Sequence, residues 1–244
     1  MRNPQQTVEA MRRSIEGVLT EEATMFGVSV PRAAHLIDER EHLDLSYYLR
    51  HKIETVRRIR ATAVTDALAL AVMIQEDYAA ARQWADYLQT EMNHDQLYLA
   101  DLKAHGLTES VVLSVPPMPA TELLMRNLTQ RIAEYGSLPA VAYSLFVEWN
   151  SSIASPKAVK RAKSALSDAH VKGSRAHTAI DERDDHYRMM IDIACSVMRA
   201  RHYAMHMLEA LVREIAALFR AYFHELHFFA IPTPNGEARA RHVH

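Results

Sequence analysis

The chain has 244 residues, only six Gly and nine Pro, and a formal net charge of −2 with acidic and basic residues interspersed. That length buries a full core, and that charge balance excludes a surface built for nucleic acid or for an anionic membrane. The single cysteine, Cys195, excludes an intrachain disulfide. No apolar run approaches the roughly 18 residues of a membrane span and no signal-peptide core opens the chain, so the expectation is a cytoplasmic protein.

Residues 5–25 have helical periodicity but many charges, which predicts a peripheral helix. A second start follows Pro31, and from Leu43 to about Ile74 apolar residues recur at Leu49, Ile53, Val56, Ala63, Leu70 and Met73. A break is expected near Gln75–Tyr78, after which one helix runs to Gly106, a residue suited to a helix C-terminus. Pro116, Pro117 and Pro119 form a stiff connection to a helix from Thr121 to Gly136. Pro139 stands in the first turn of AVAYSLFVEWNSS, and Pro156 is expected to open a short charged helix ending near Gly173. Ser174 to Ala230 lacks Gly and Pro, and length alone places a break near Arg199–Tyr203. The segment from Pro232, residues 232–244, reads as a disordered tail. No stretch alternates like a strand. The expectation is one all-α domain over residues 1–231, with about seven helices.

Three of these helices carry acid or imidazole groups on an apolar stripe. In YLQTEMNHDQLYLADLKAHG (87–106), Glu91 and His94 lie one turn apart beside Trp84, Leu88, Tyr98 and Leu102. A lone pair of this kind reads first as a solvated helix edge. A carboxylate on a buried stripe, however, needs a cation or donor, and helical bundles meet that need with Glu-x-x-His pairs around a metal. Glu148 shares a stripe with Val141, Ser144 and Leu145; taken alone, it reads equally as a carboxylate bonded to Tyr or Ser. In SRAHTAIDERDDHYRMMIDIAC, His177, Asp181 and Asp184 fall within about 60° on a helical wheel. Glu182 and His186 point to the other side of that wheel and read as solvated. Oxygen and nitrogen donors without thiolate suit Fe or Mn better than Zn.

The pattern E-x-x-H-D-x-L-x-x-x-D-L-x-x-x-G, formed by Glu91, His94, Asp95, Leu97, Asp101, Leu102 and Gly106, resembles a segment of the haem-oxygenase-like di-metal oxidases and oxygenases. These are relatives of the thiaminase-like TenA proteins that bind two irons rather than haem. AVAYSLFVEWNSS resembles that family's helix with a metal-binding Glu, and the H-x-x-x-D-x-x-D of residues 177–184 resembles its ligand helix. The likeness spans roughly residues 45–200. It implies a haem-oxygenase-like helical bundle with Glu91, His94, Glu148, His177 and Asp181 as ligands of two Fe ions. A further Glu is expected on the preceding helix, with Glu54 as first choice and Asp66 and Glu76 as rivals.

The departure is Asp184, where the family pattern usually has a second His. Its extra negative charge implies that it stays protonated, turns to a basic neighbour such as Arg188, or ligates only an oxidised metal. Tyr47, Tyr48, Tyr143, Phe146, Trp149 and Met190 are close enough in sequence to be pocket candidates. The resemblance implies O₂ as co-substrate, an external electron donor and oxidation of a small amine, amino acid or fatty acid. The outcome would be N-oxygenation, desaturation, oxidative decarboxylation or C–C cleavage, and a homodimer is the expected assembly. Alternatives are a metal-free or haem-binding enzyme of the same fold, or a non-catalytic helical binding protein.

Overall fold

The computed structural model describes residues 4–229; the expected tail at 232–244 and the side chain of Glu182 lie outside what is described. Among the described residues there is no strand, and ten α-helices stand where about seven were expected. They are α1 (Pro4–Ser29), α2 (Leu45–Glu76), α3 (Tyr78–Glu91), α4 (His94–Ala104), α5 (Glu109–Ser114), α6 (Pro119–Tyr135), α7 (Leu138–Ala165), α8 (Lys172–Asp184), α9 (His186–Ala200) and α10 (Met205–Glu225). Short 3₁₀ turns cover Pro31–Leu36, Asp168–Val171 and Leu226–Phe229.

The expected breaks near Gln75–Tyr78 and Arg199–Tyr203 are present. Asp77 makes the first, its carboxylate accepting from the backbone N–H of Ala79 and Ala80 at 2.9 and 3.0 Å. Two further breaks raise the count. One separates Glu91 from His94, so the 87–106 stretch is two helices and not one. The other is at Asp185, which adopts φ 45° and ψ 51°, a left-handed conformation that Asp tolerates better than most residues. Its carboxylate then accepts from Arg188 N and starts α9. Conversely, Pro156 opens no new helix. α7 runs through it to Ala165, and Ser152, whose carbonyl loses its usual partner, is exposed to water.

α1 is not peripheral. It carries Met11, Ile15, Val18 and Leu19 into the main core, and its buried Glu22 is held by Arg213 and Arg220. That core joins α1, α3, α6, α7, α9, α10 and, through Ala69 and Met73, the end of α2, while Leu49, Ile53 and Val56 earlier in α2 pack with Leu99 and Leu102 of α4 in a second cluster. The run Leu138–Phe146, apolar but for Ser144, is buried on all sides, as a central helix must be.

Two glycines fix close approaches. At Gly173 a Cβ would stand 1.8 Å from the Leu97 carbonyl oxygen, so only glycine lets the start of α8 touch α4. There Asp101 caps α8 from outside its own helix, accepting from Gly173 N at 2.6 Å, Ser174 N at 2.9 Å and Ser174 Oγ at 2.5 Å. At Gly136, with φ 71°, a Cβ would meet Glu76 Oε1 at 2.0 Å. Among the described residues no helix is long and apolar enough to cross a membrane.

Candidate metal centre

The α3–α4 break, the middle of α7 and the α8–α9 break meet inside the bundle, and each brings ionisable side chains to one place. Glu91, the last residue of α3, stands between two groups of donors. Glu91, His94 and His177 form one triplet, and Glu91, Glu148 and His186 the other; within each, the candidate ligand atoms lie within 4.8 Å of one another. Glu91 Oε2 is 3.1 Å from His94 Nδ1, and Oε1 is 3.4 Å from His186 Nδ1. His186 Nδ1 is also 3.8 Å from Glu148 Oε2, and the rings of His94 and His177 have centroids 4.3 Å apart.

Asp181 borders the first triplet. Its Oδ2 lies 2.9 Å from His177 Nδ1 and accepts from Ser151 Oγ at 3.1 Å. Asp66 of α2 lies within the field of Glu91. Burial first, and then the charge of Glu91, push its carboxyl up to about 8. Glu148 is raised for the same reasons, by burial and then by Glu91 and Asp181, although Tyr87 donates to its Oε1 at 2.8 Å. Burial opposes the charge on His94, but the hydrogen bond and charge of Glu91 outweigh it and raise the imidazole.

The test of a metal here is which polar atoms the protein leaves unpartnered. Glu91 Oε1, His94 Nε2, His177 Nδ1, Asp181 Oδ1, His186 Nδ1 and Asp66 Oδ1 are all buried and make no well-directed hydrogen bond, although His177 Nδ1 is close to Asp181 and His186 Nδ1 to Glu91. Buried polar groups are normally satisfied, and an isolated orphan costs about 1–3 kcal/mol. Five such atoms beside Glu91 and its own Oε1, all metal-ligating atom types, fit cations bound among them. Carboxylate and imidazole donors without thiolate fit iron or manganese.

Of the residues expected as ligands, Glu91, His94, Glu148, His177 and Asp181 converge here. Glu54 does not. It accepts from Arg50 Nη2 at 2.7 Å, Thr121 Oγ1 at 2.5 Å and Met118 N at 3.4 Å, so its oxygens are already occupied. Of its rivals, Glu76 sits under the start of α7, accepting from Ser137, and Asp66 faces the cluster.

Asp184 is also placed elsewhere. It pairs with Arg183, at 2.6 and 2.8 Å, at the surface, not with the expected Arg188. The imidazole that the wheel assigned to solvent, His186, is buried in its place. The wheel assumed an unbroken helix, and the left-handed Asp185 rotates everything after it. An Asp–Asp pair ahead of an amphipathic run is an N-cap signal that could have revealed this.

Among the pocket candidates, Tyr143 and Phe146 lie against Phe219, with centroids 6.0 and 5.1 Å away, and Trp149 packs at the edge of the main core. Tyr47 is elsewhere, in a small cluster with Met118 and Tyr222, donating to the Phe223 carbonyl at 3.1 Å.

This arrangement of helices is the haem-oxygenase-like fold. A domain of unknown function with that fold from Shewanella denitrificans OS217 superposes with a TM-score of 0.72 at 18% identity, covering 88% of this chain and 92% of its own. A TenA homologue from Pseudomonas syringae pv. tomato DC3000 superposes with a TM-score of 0.68 at 14% identity, covering 86% and 91% respectively. No family model matches the sequence, and no curated protein matches it.

Proposed function

We propose that this protein is a non-haem di-metal oxidase or oxygenase, working with two iron ions on a small amine, amino acid or fatty acid. The observation that carries the reading is Glu91 shared between two donor triplets and surrounded by buried, unpartnered ligand atoms. Glu91, His94 and His177 would hold one ion, with Asp181 beside it. Glu91, Glu148 and His186 would hold the other, with Asp66 beside it. Two irons bound there would supply O₂ activation and electron transfer, with electrons from an external donor.

The remaining work belongs to the chain. The Tyr87 hydroxyl holds Glu148 in one orientation, and the ring of Tyr87 stands edge-on to His186 with centroids 5.2 Å apart. Ser151 orients Asp181, and Trp84 Nε1 fastens the Asp66 carbonyl at 3.1 Å. Trp84 and Tyr87, buried against each other with Tyr87 on His186, shield the donors from water.

Anaerobic titration with Fe(II) tests the reading. Two ions per chain, falling on Ala substitution of any triplet member, are expected, followed by O₂ consumption with one of a panel of amino and fatty acids. Absence of bound metal, or full turnover without O₂, would overturn it. The TenA homologue among the structural neighbours favours a second reading, a metal-free enzyme of the same fold. Metal content separates the two. Cys195, the one thiol, is buried in the core near Arg199 and is no part of either triplet.

A further inference from the structure

Arg58 of α2 is a buried cation that the di-metal reading does not use. Only 7% of the residue is exposed, yet no carboxylate stands within salt-bridge distance among the described residues. Its guanidinium carbon lies 4.5 Å from the Tyr222 ring centroid and 5.6 Å from that of Phe219. Its polar neighbours are hydroxyls: Thr55 Oγ1 at 3.1 Å and those of Tyr222 and Tyr143. Nη1 is buried with no partner.

Arg50, two turns earlier on the same helix, shows how the protein neutralises a structural guanidinium. It bonds Glu54 and the Pro116 carbonyl, each at 2.7 Å. Glu54 spends its hydrogen bonds on Arg50, Met118 and Thr121 and reaches Arg58 only through its field, with no direct contact. Aromatic faces attract a cation but do not replace an anion.

Arg58 is also near the metal donors. Tyr98 lies in the field of Asp181 and Glu91 as well as that of Arg58, and its ring is 5.3 Å from the His177 ring. Tyr143 lies in the fields of both Arg58 and Asp66. Two tyrosines thus lie in the fields of both the guanidinium and the carboxylates around Glu91. The rings about Arg58, those of Tyr143, Phe219 and Tyr222, are apolar surface for the rest of a ligand.

We propose that Arg58 receives the carboxylate of the substrate, so that the site takes carboxylic acids with an apolar or aromatic body and binds them by the protein rather than by the metal. A planar guanidinium with an unpartnered Nη1 suits a carboxylate better than any neutral group. What happens to the far end of the molecule rests on the di-metal reading; the binding does not.

The test therefore uses metal-free protein, titrated calorimetrically with octanoate and 3-phenylpropanoate and with the corresponding primary amides. The acids are expected to bind at least about tenfold more tightly than the amides. Arg58→Lys, which keeps the charge and removes the fork, is expected to weaken acid binding by about tenfold or more, with amide binding and iron stoichiometry unchanged. Equal affinity for acids and amides overturns the proposal, as does absence of binding by either, or Arg58→Lys binding acids like the unmodified chain. The acid–amide comparison needs no variant, so misfolding of Arg58→Lys, detected by its melting curve, leaves the test decisive. Two irons per chain without acid preference would remove this proposal alone; acid preference without iron binding would remove the di-metal reading alone.

Discussion

Glu54 and Glu91 are both carboxylates of a long helical bundle, and both are withdrawn from bulk water, but the protein treats them in opposite ways. Glu54 is wholly buried, and guanidinium, hydroxyl and backbone N–H donors meet its oxygens. Asp101 is treated likewise at the start of α8. Around Glu91 the protein supplies further carboxylates and imidazoles, and leaves five of their ligand atoms, with Oε1 of Glu91 itself, without a hydrogen bond. Burial of an acid therefore says little about its role. The way its lone pairs are satisfied separates a structural carboxylate from one arranged for a cation.

The largest effect that would sharpen this contrast is on metal content. Glu91 belongs to both triplets, so Glu91→Ala should abolish binding at both positions, whereas His177→Ala or His186→Ala should leave one ion per chain. Plasma emission analysis of protein loaded anaerobically checks the stoichiometry. One retained ion in Glu91→Ala would break the idea of a shared ligand.

Next in size is stability without metal. Glu54→Ala strands the Arg50 guanidinium and should cost about 3–5 kcal/mol in urea unfolding. Glu148→Gln removes a charge that Glu91 and Asp181 repel, and should leave the metal-free protein as stable or more so. Adding Fe(II) should reverse the order for Glu148→Gln only. Equal losses in the two variants would mean that the regions do not differ as described.

Gly173→Ala should act between these two. The added methyl meets the Leu97 carbonyl, so α8 must shift away from α4 at a cost of about 1–3 kcal/mol. His177 and Asp181 ride on α8, so iron should bind more weakly at the His94–His177 position than at the Glu148–His186 position. Site-resolved Co(II) absorption titration would detect the inequality.

A smaller effect concerns pH. The folded protein holds the Asp66 proton up to about 8, against 3.8 for the ordinary carboxyl. Between those values the folded chain binds more protons than the unfolded chain, so metal-free stability should fall as pH rises from about 4 to about 8. A bound divalent cation favours the ionised carboxylates and should flatten or invert that slope. Melting temperatures across this range, with and without Fe(II), decide it.

The sequence displays the helices well, because their periodicity and scarcity of Gly and Pro are local properties. It also displays five of the converging side chains, since Glu91, His94, Glu148, His177 and Asp181 each lie on a stripe that a wheel can identify. His186 was hidden by one backbone angle. A left-handed Asp185 changes the phase of the following helix, and periodicity alone carries no record of that. Glu54 misled for a different reason. Whether a buried carboxylate already has partners depends on Thr121 and Met118, 67 and 64 residues away, and no local pattern reports them. Arg58 was likewise silent in sequence, where it is one basic residue among several in LRHKIETVRRI.

The smallest expected effect belongs to Asp184, and it tests the helix break directly. If α8 continued unbroken into α9, Asp184 would share the inward face of His177 and Asp181, and Asp184→His would add a ligand. The chain instead turns at Asp185, and Asp184 is held by Arg183 at the surface, where that hydrogen bond and charge keep its carboxyl below the usual range. Its field reaches His94 and His186 only from outside the donor set. Neither Asp184→Ala nor Asp184→His should therefore change the number of irons bound, and the melting temperature should stay within error, because exposed pairs of this kind contribute little. Asp185→Ala should do more than either. It removes both the residue that tolerates the left-handed turn and the cap of α9, and so disturbs His186 on the next position. A gain of iron in Asp184→His, with Asp185→Ala unaffected, would show that His177, Asp181 and Asp184 act on one continuous helix and that His186 is not the second imidazole.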